Sequence, residues 1–523
     1  KRNNQKTSKF TLFVGHHDYT SLMIHLQVRK QERLFIQLLK FPLQFMGLLG
    51  VIAFFYRNAI LNTYAWSDDY PTLIDPSSHV KHTLQDLRPG YAALLTLFKV
   101  LKTPTDLQAI RFVSVVSLTV TCFLIWRILS KYNFGTSALI GSLVSIATPP
   151  FASLVYFATG FGVLIAQSFA ALSFYCFARG KTLSSVLGYI FLIFAFLTYP
   201  ISAWVYIVIA TLILVFSKNS LKSAASNFAM DLRKFVLAGI FSLVLAYGSL
   251  KAASDASLNS RVQIIDLQNA YQDIKFFITR FLVQSFRFFL YDRPENYLIA
   301  LQASLACLLY LLSFIFSSSS KGIAIKRLIL GLAGVVLMAL PYLLLSYNQI
   351  EPRFFATTSL FLTLLFFRNM AIIITNAIVK LNSRINAFGC NVIWSTLIFL
   401  CLVISNQLTT DIYENRVRPI TRSTEEFLTH SLTQCSEQER VSGVVIRERK
   451  KPWPSLKYLG MFSQVTDLAS DWVPRNAAEL VLRDPKWQFV VREKIQVIQR
   501  MEDLPINYCV IDMDLFGADE NEK

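Results

Sequence analysis

Charged residues are scarce in this chain, and acidic residues are the scarcer kind. Of its 523 residues, 16% are Asp, Glu, Lys or Arg, whereas soluble domains contain about 25%. Hydrophobic residues make up 54%, with 43 Phe among them, and the mean hydropathy is +0.44. A soluble fold cannot bury that much apolar surface, but a bilayer can solvate it. The composition therefore predicts an all-α polytopic membrane protein.

Sequence motifs of nucleotide, hydrolase and metal chemistry are also missing. The chain has no Gly-rich phosphate-binding loop, no nucleophile elbow around a serine and no cysteine cluster with metal-ligand spacing. ATP-driven chemistry therefore has no support in this chain.

Of the seven cysteines, only Cys435 and Cys509 lie in the polar C-terminal region. They are candidates for one disulfide if that region is in an oxidising compartment, and the alternative is two free buried thiols.

The formal net charge of +18 comes from 51 basic and 33 acidic residues. In a soluble protein this excess would suggest nucleic acid as a partner. Here many Lys and Arg lie in short connectors between apolar segments, which is typical of cytoplasmic loops and of contact with anionic lipid headgroups. We therefore expect membrane lipids as partners and no nucleic acid.

A membrane-spanning helix needs about 20 apolar residues, and the sequence predicts about eleven such helices. Residues 1–35 precede them and are polar and basic, which predicts a cytoplasmic leader. We expect a transmembrane domain over 36–406 with spans at about 36–57, 109–129, 136–150, 160–178, 182–198, 200–217, 234–250, 297–316, 327–347, 354–375 and 391–406.

The first loop, 58–108, is polar, and its segment 91–101 is too short and too interrupted by Lys to span. We interpret that segment as an amphipathic interfacial helix. If segment 91–101 is not counted as a span, the basic connectors all lie on the cytoplasmic side of the membrane, and the C-terminal region 407–523 lies on the outer side. That region is expected to be a small α+β domain, with strands at 442–446 and 508–511 and a helix at 475–482.

Asp68 and Asp69 are the best candidates for chemistry in the chain. These adjacent carboxylates lie just after the first span, in a loop too polar to enter lipid. One ionised carboxylate beside a bound hydroxyl can take its proton as a general base. The second would orient the first or hold a divalent cation. The alternative is a helix cap or turn, because Ser67-Asp68-Asp69 shortly before a proline favours a turn.

Basic and imidazole side chains near the predicted outer ends of the spans suggest two further sites. Arg88 and Arg353 are candidates for binding a phosphate, because a guanidinium fork matches phosphate oxygens. The alternative for each is snorkelling to the membrane interface. His79 and His82 share a helix face and, with Asp75 or Asp86, are a weaker candidate for zinc. The sequence leaves the metal requirement open and demands no cofactor.

The order of these features resembles the membrane glycosyltransferases of the GT-C fold. The resemblance rests on Asp68-Asp69, then Arg88-Pro89-Gly90-Tyr91, then Ala109-Ile110-Arg111-Phe112 at the second span. The segment Glu351-Pro352-Arg353-Phe354 resembles the external loop in which many of these enzymes place an arginine near the donor phosphate. Within the fold, the size, the acid pair and the modest external tail are most similar to the O-antigen glucosyltransferases of serotype-converting bacteriophages and their bacterial relatives.

The resemblance implies a glycosyltransferase of the bacterial inner membrane that works on its periplasmic face. The donor would be a polyprenyl phosphate-sugar, such as undecaprenyl phosphate-glucose, and the acceptor a hydroxyl of a lipid-linked O-antigen or another surface glycan of the lipopolysaccharide kind. Asp68 would be the general base and Asp69 its partner, with Arg353 and Arg88 on the donor phosphate. Supporting or acceptor-binding positions would be Tyr91, Glu351 and His82.

A transporter or flippase of lipid-linked glycans is the alternative from another class. A flippase should carry ionisable residues inside its spans, along a polar path. The predicted spans here are almost free of acids, and the carboxylates collect in the loops, which favours the enzyme. A polymerase or ligase of the same glycans is a third possibility that the sequence separates poorly from the first.

Overall fold

A computed structural model of the chain describes a mostly helical protein. It covers residues 41–61, 69–101, 103–217, 220–253, 307–318, 320–344, 355–381, 418–436, 443–447, 495–498 and 508–512, with single helical residues at 396, 400, 403 and 407. Of the residues that can be interpreted, 89% are helical. The chain divides into two compact units, Lys1–Val51 and Ile52–Lys523. Within the first unit, residues 41–51 are described, and all of them are helical.

The helices are labelled here in chain order, over the described residues. They are α1 (Phe41–Phe55), α2 (Arg57–Leu61), α3 (Asp69–Ile74), α4 (Pro76–Gln85), α5 (Pro89–Leu95), α6 (Leu107–Ser130), α7 (Thr136–Ile146), α8 (Pro149–Tyr156), α9 (Phe161–Phe177), α10 (Thr182–Thr198), α11 (Val205–Phe216), α12 (Leu221–Ala252), α13 (Cys307–Phe316), α14 (Lys321–Leu344), α15 (Ala356–Leu381) and α16 (Arg418–Ser436). Short 3-10 segments lie between some of them: Thr96–Val100, Pro104–Asp106, Ala158–Gly160 and Pro200–Trp204.

Among the described residues, four helical stretches are long and apolar enough to cross a membrane: Leu107–Ser130, Ala158–Phe177, Leu221–Ala252 and Ala356–Asn376. A fifth is formed if α7 and the following Pro150–Tyr156 are counted as one span with a 60° bend. These lengths suit a hydrocarbon core of about 30 Å. A mostly helical protein with membrane-length helices is thus confirmed, while the count of eleven spans stays a prediction.

Prolines determine where several of the helices begin and end. The span predicted at 182–198 coincides with α10, which ends where Tyr199 turns extended before Pro200. A proline disfavours helical geometry in the residue before it and cannot donate to the helix. The same chemistry divides the span predicted at 136–150. Thr148 is extended before two prolines, and α8 starts anew at Pro149.

The helix that contains the seventh predicted span is longer than that span. The span was predicted at 234–250, whereas α12 begins at Leu221, where the Ser220 hydroxyl accepts a hydrogen bond from the Ser223 amide at 3.3 Å. Hydropathy detects only the apolar half of such a helix. The polar first half is helical because it has an N-cap and no helix breaker.

Small hydroxyl side chains join the packed helices of the core. The Ser168 hydroxyl of α9 donates to the Ser117 carbonyl of α6 at 2.6 Å, and Ser173 of α9 donates to the Gly188 carbonyl of α10 at 2.7 Å. The hydroxyls of Thr148 and Ser359 lie 3.1 Å apart, which ties the α7–α8 break to α15. Such interhelical hydrogen bonds are a common way to hold helices together where no water competes.

The described part of the polar loop before α6 is mostly helical. Helix α4 is capped by the Asp75 carboxylate, which accepts from the Ser78 amide at 3.0 Å. The predicted interfacial segment 91–101 falls on α5 and the 3-10 segment after it, with Leu95 and Phe98 buried and Val100 exposed.

The C-terminal part contains a three-stranded parallel sheet. Its strands are β1 (Gly443–Arg447), β2 (Ile495–Ile498) and β3 (Tyr508–Asp512), with β1 in the centre. Strands were predicted at 442–446 and 508–511, whereas β2 and α16 were not. A disulfide joins Cys435 of α16 to Cys509 of β3, which decides between the two alternatives for these cysteines. The predicted helix at 475–482 and most of the eleventh span lie outside the described residues.

Candidate functional site

Asp69 is the first residue of α3, and its side chain is completely buried. Its Oδ1 accepts a hydrogen bond from the Thr159 amide at 2.9 Å, and its Oδ2 accepts from the Ala158 amide at 3.3 Å. These amides belong to the 3-10 segment Ala158–Gly160, which leads directly into α9. The first amides of a helix have no partner within it and attract negative charge. Asp69 therefore binds the amides at the start of the helical stretch Ala158–Phe177, 89 and 90 residues further along the chain.

Arg111 supplies the positive charge beside Asp69. Its Nη2 lies 3.7 Å from Asp69 Oδ2, and neither side chain is exposed. Its Nε also donates to the Tyr156 carbonyl at 2.9 Å, at the end of α8. A charge buried without a partner costs several kcal/mol, so each member of the pair requires the other. The ion pair thus fixes α3 against the first turns of α6 and the end of α8.

Tyr91 holds the same short segment from the other direction. Its hydroxyl donates to the Thr159 carbonyl at 2.5 Å, so the backbone of Thr159 is bound through both its N–H and its C=O. The ring lies where a side chain at position 162 would be. A Cβ added to Gly162 would lie 2.4 Å from Tyr91 Cδ2. Glycine at this position therefore allows α5 to approach α9.

Gly160 is required for a second close approach. A Cβ at this position would lie 2.4 Å from the Leu154 carbonyl oxygen, which is backbone and cannot rotate away. The backbone angles of Gly160 are ordinary, with φ −68°, so the reason is space and not conformation. The chain from α8 to α9 consequently folds back tightly enough to present its amides to Asp69.

Arg88 lies at the turn between α4 and α5. Its guanidinium carbon is 4.6 Å from the centre of the Tyr199 ring, and its Nη1 is 3.9 Å from Asp86 Oδ2. Leu87, between the two charged residues, has a left-handed φ of 58°. The side chain of Arg88 is 27% exposed, so it remains accessible from one side.

The histidines do not assemble a metal site among the residues that are described. The Nδ1 of His79 lies 2.9 Å from the Thr72 hydroxyl, and His82 is exposed. Within the described ranges, no group of three or more His, Cys, Asp and Glu side chains is arranged to hold a metal ion.

Two residues that sequence reasoning associated with one site, Asp69 and Tyr91, both bind the backbone of Thr159. Arg88 lies beside Tyr199 and Asp86. Asp68, Glu351 and Arg353 lie outside the described residues. Sequence reasoning used Arg111 only as part of a resemblance and missed its role as the partner of Asp69. The available signal was an arginine within the first turns of a span that has no acid of its own, since such a charge needs a partner.

No protein-family model matches the chain, and no curated protein matches it.

Proposed function

We propose that this protein is a GT-C-type glycosyltransferase that uses a polyprenyl phosphate-sugar. It transfers the sugar to a hydroxyl of a lipid-linked O-antigen or related surface glycan. The resemblance to O-antigen glucosyltransferases indicates that this sugar is glucose. The reaction takes place at the periplasmic face of a bacterial inner membrane, and the Asp68-Asp69 pair lies at its centre.

The observation that carries this proposal is the buried ion pair between Asp69 and Arg111. It anchors one member of the acid pair at the start of a membrane-length helix, with the two opposite charges paired and both side chains buried. Consecutive Cα atoms are about 3.8 Å apart, so the position of Asp69 limits the reach of Asp68. An enzyme that takes its donor from the bilayer needs its base held at this boundary.

The two carboxylates then have separate roles. Asp69 is engaged by two amides and a guanidinium, so it acts as a positioning residue. Asp68 is the general base, which removes the proton of the acceptor hydroxyl as that oxygen attacks the sugar carbon. The bond from this carbon to the phosphate oxygen breaks, and the polyprenyl phosphate leaves as an anion. Cations placed where that charge develops lower the barrier.

Of the two arginines proposed to contact the leaving phosphate, Arg88 is the one that the structure describes. Its guanidinium makes a cation–π contact with Tyr199, and its N–H groups can donate to an oxyanion. The link to Asp86, at 3.9 Å, is long for a hydrogen bond and weak enough to be exchanged. Arg353 and Glu351 are proposed to complete the site, with Tyr91 as support and His82 near the acceptor. A divalent cation remains an optional part of the proposal.

The proposed topology has eleven spans, a cytoplasmic leader over 1–35 and a periplasmic domain over 407–523. The Cys435–Cys509 disulfide supports it, because such bonds persist in the periplasm and are rare in the cytosol. The basic connectors support the same orientation independently.

The test is sugar transfer in membranes that contain the full-length protein. Labelled undecaprenyl phosphate-glucose and lipopolysaccharide precursors are added, and the label in the glycan is followed over time. We expect label in the glycan only with the active protein. A flippase would instead move lipid-linked glycan across the membrane and leave the label on the polyprenyl carrier, and that result would reject the proposal.

A further inference from the structure

Two arginines from different helices meet at a pair of phenylalanine rings. Arg327 of α14 has its guanidinium carbon 5.2 Å from the centre of the Phe216 ring, and Arg368 of α15 has its carbon 5.9 Å from the same centre. Arg368 also lies 5.3 Å from the centre of the Phe134 ring. The two rings pack edge to face at 5.2 Å. The four residues are called the arginine cluster below.

The arginine cluster lies at the opposite end of α6 from the Asp69 site. Arg111 is in the first turns of this helix, and Phe134 follows its last residue, Ser130. From Arg111 to Ser130 the helix rises about 28 Å at about 1.5 Å per residue, which is close to the thickness of a bilayer core. The charge pattern of the connectors predicts the end with the cluster to be cytoplasmic.

The positive charge of the arginine cluster has little compensation in the part of the chain that is described. Arg327 Nη1 donates to the Ser317 carbonyl at 3.5 Å, a long hydrogen bond. The Nε of Arg368 is buried and has no hydrogen-bond partner there. Neither guanidinium has a carboxylate within ion-pair distance among those residues. Cation–π contacts contribute about 0.5–2 kcal/mol, less than the cost of burying a charge.

A nearby carboxylate is already engaged elsewhere. Asp231 faces the cavity beside the cluster, where its Oδ1 accepts from Lys234 Nζ at 2.9 Å and from the Tyr206 hydroxyl at 3.3 Å. That pairing leaves the two arginines without this acid.

A cavity of about 310 Å³ adjoins the arginine cluster and shares Phe134 and Phe216 with it. Lys131 and Asn133 also line it, so its wall adds a cation and an amide to the same region. Its volume lies at the lower end of the range for ligand pockets, about 300–1,000 Å³. It offers room for a small polar group beside the two shared rings.

We propose that the arginine cluster binds one phosphate-class oxyanion. Guanidinium forks match the oxygens of phosphate, and Arg keeps its charge even when it is half-buried. One dianionic or monoanionic phosphate would neutralise the pair and accept the unused Nε–H of Arg368. The phosphate can come from the headgroup of an anionic phospholipid or from free phosphate. This site is separate from the proposed sugar transfer and does not depend on it.

The test uses the full-length protein in nanodiscs of phosphatidylcholine, with thermal unfolding as the readout. In the lipid arm, phosphatidylglycerol replaces phosphatidylcholine stepwise. In the free arm, inorganic phosphate replaces chloride at constant ionic strength. A ligand that binds only the folded state raises the unfolding midpoint in a saturable way. We expect saturation in at least one arm, and the arm that responds identifies the source of the phosphate.

Variants separate a built site from general surface charge. Arg368→Gln and Arg327→Gln should each weaken the apparent affinity by about tenfold or more, because each removes hydrogen bonds to a charged group. Arg368→Lys keeps the charge but loses the fork, so its loss should be intermediate. Arg179→Gln is the matched control, since Arg179 is exposed and stacks on Tyr175 near the same end of α6. It should bind as the unmodified protein does.

Two results would overturn the proposal. One is the absence of saturable stabilisation of the unmodified protein in both arms, a measurement that needs no variant to fold. The other is an equal loss of apparent affinity in Arg179→Gln and Arg368→Gln. The stabilisation would then come from screening of surface charge, and Arg327 and Arg368 would be snorkelling residues.

Discussion

Arg111 Nη2 lies 3.7 Å from Asp69 Oδ2, with both side chains fully buried. The two residues belong to α6 and α3, and through Tyr156, Ala158 and Thr159 they also fix the passage from α8 to α9. One ion pair therefore connects the polar loop that carries the acid pair with three elements of the helical core. Its loss should affect stability and the proposed activity together.

A double-mutant cycle tests the coupling of this pair. Asp69→Asn leaves the buried Arg111 without the opposite charge of Asp69, and Arg111→Gln leaves the buried Asp69 carboxylate with its two amide donors but without this guanidinium. Each single change should destabilise the protein by about 3–5 kcal/mol. The double change should cost less than the sum of the two by about 0.5–3 kcal/mol. Unfolding in detergent, followed by loss of helical circular dichroism, measures both quantities.

The matched control for this cycle is Lys234→Gln with Asp231→Asn. That pair is partly exposed and lies three residues apart on one helix, so its coupling should be below about 1 kcal/mol. Strict additivity at Asp69 and Arg111, equal to that of the exposed pair, would contradict the structural role given to the buried one.

The helices were more predictable from sequence than the site. The boundaries of α10 follow from an apolar run that ends at Tyr199-Pro200, both of which are local signals. The helical first half of α12 carries no such signal, because its polar residues resemble a connector until their N-cap is considered. Strand β2 was missed for a similar reason. It has four residues and is specified by pairing with β1, a contact distant in the sequence.

The Asp69 site illustrates the limit of local reasoning. The capping alternative for the acid pair was considered only within its own loop, whereas Asp69 caps a helix start 90 residues away. No local pattern encodes that distance. The burial of Arg111 and the identity of its partner both required the structure, because an arginine near the end of a span can equally snorkel to the interface.

Gly160 should not tolerate a methyl group. In Gly160→Ala the new Cβ would meet the Leu154 carbonyl oxygen at 2.4 Å, so the segment that binds Asp69 would have to shift. We expect a loss of about 1–3 kcal/mol in stability together with lower sugar transfer. Gly248→Ala is the control, because nothing lies within 4 Å of its added Cβ in α12. That change should be neutral or stabilising by up to about 1 kcal/mol. Similar effects of both changes on the unfolding midpoint would refute the steric argument.

The proposed orientation predicts which added thiols are reachable from outside. Ser77 in α4 and Lys222 in α12 are both exposed. In intact inner-membrane vesicles with the periplasmic face outward, a membrane-impermeant maleimide should label Ser77→Cys and spare Lys222→Cys. Vesicles of the opposite orientation should give the reverse pattern, above the background of the native cysteines. Labelling of Lys222→Cys alone in the first preparation would invert the topology and exclude a periplasmic site.

Asp68 is expected to matter for chemistry far more than for folding. Asp68→Asn removes the proposed base while it keeps the size and shape of the side chain, so sugar transfer should fall by about 10²–10⁴-fold. Insertion, the unfolding midpoint and binding of the polyprenyl phosphate-glucose donor should stay close to those of the unmodified protein. The measurement is the initial rate of label transfer, at saturating donor, divided by the amount of folded protein.

Asp75→Asn is the matched control for this change. Asp75 is an exposed carboxylate of the same loop, and asparagine caps a helix about as well as aspartate does, so α4 keeps its N-cap while the loop loses the same charge. Transfer by Asp75→Asn should be nearly unchanged. If Asp68→Asn also transferred sugar at the normal rate, the base would have to be another group. If the two variants lost activity equally, the loop would act through its total charge, and Asp68 could not be assigned as the general base.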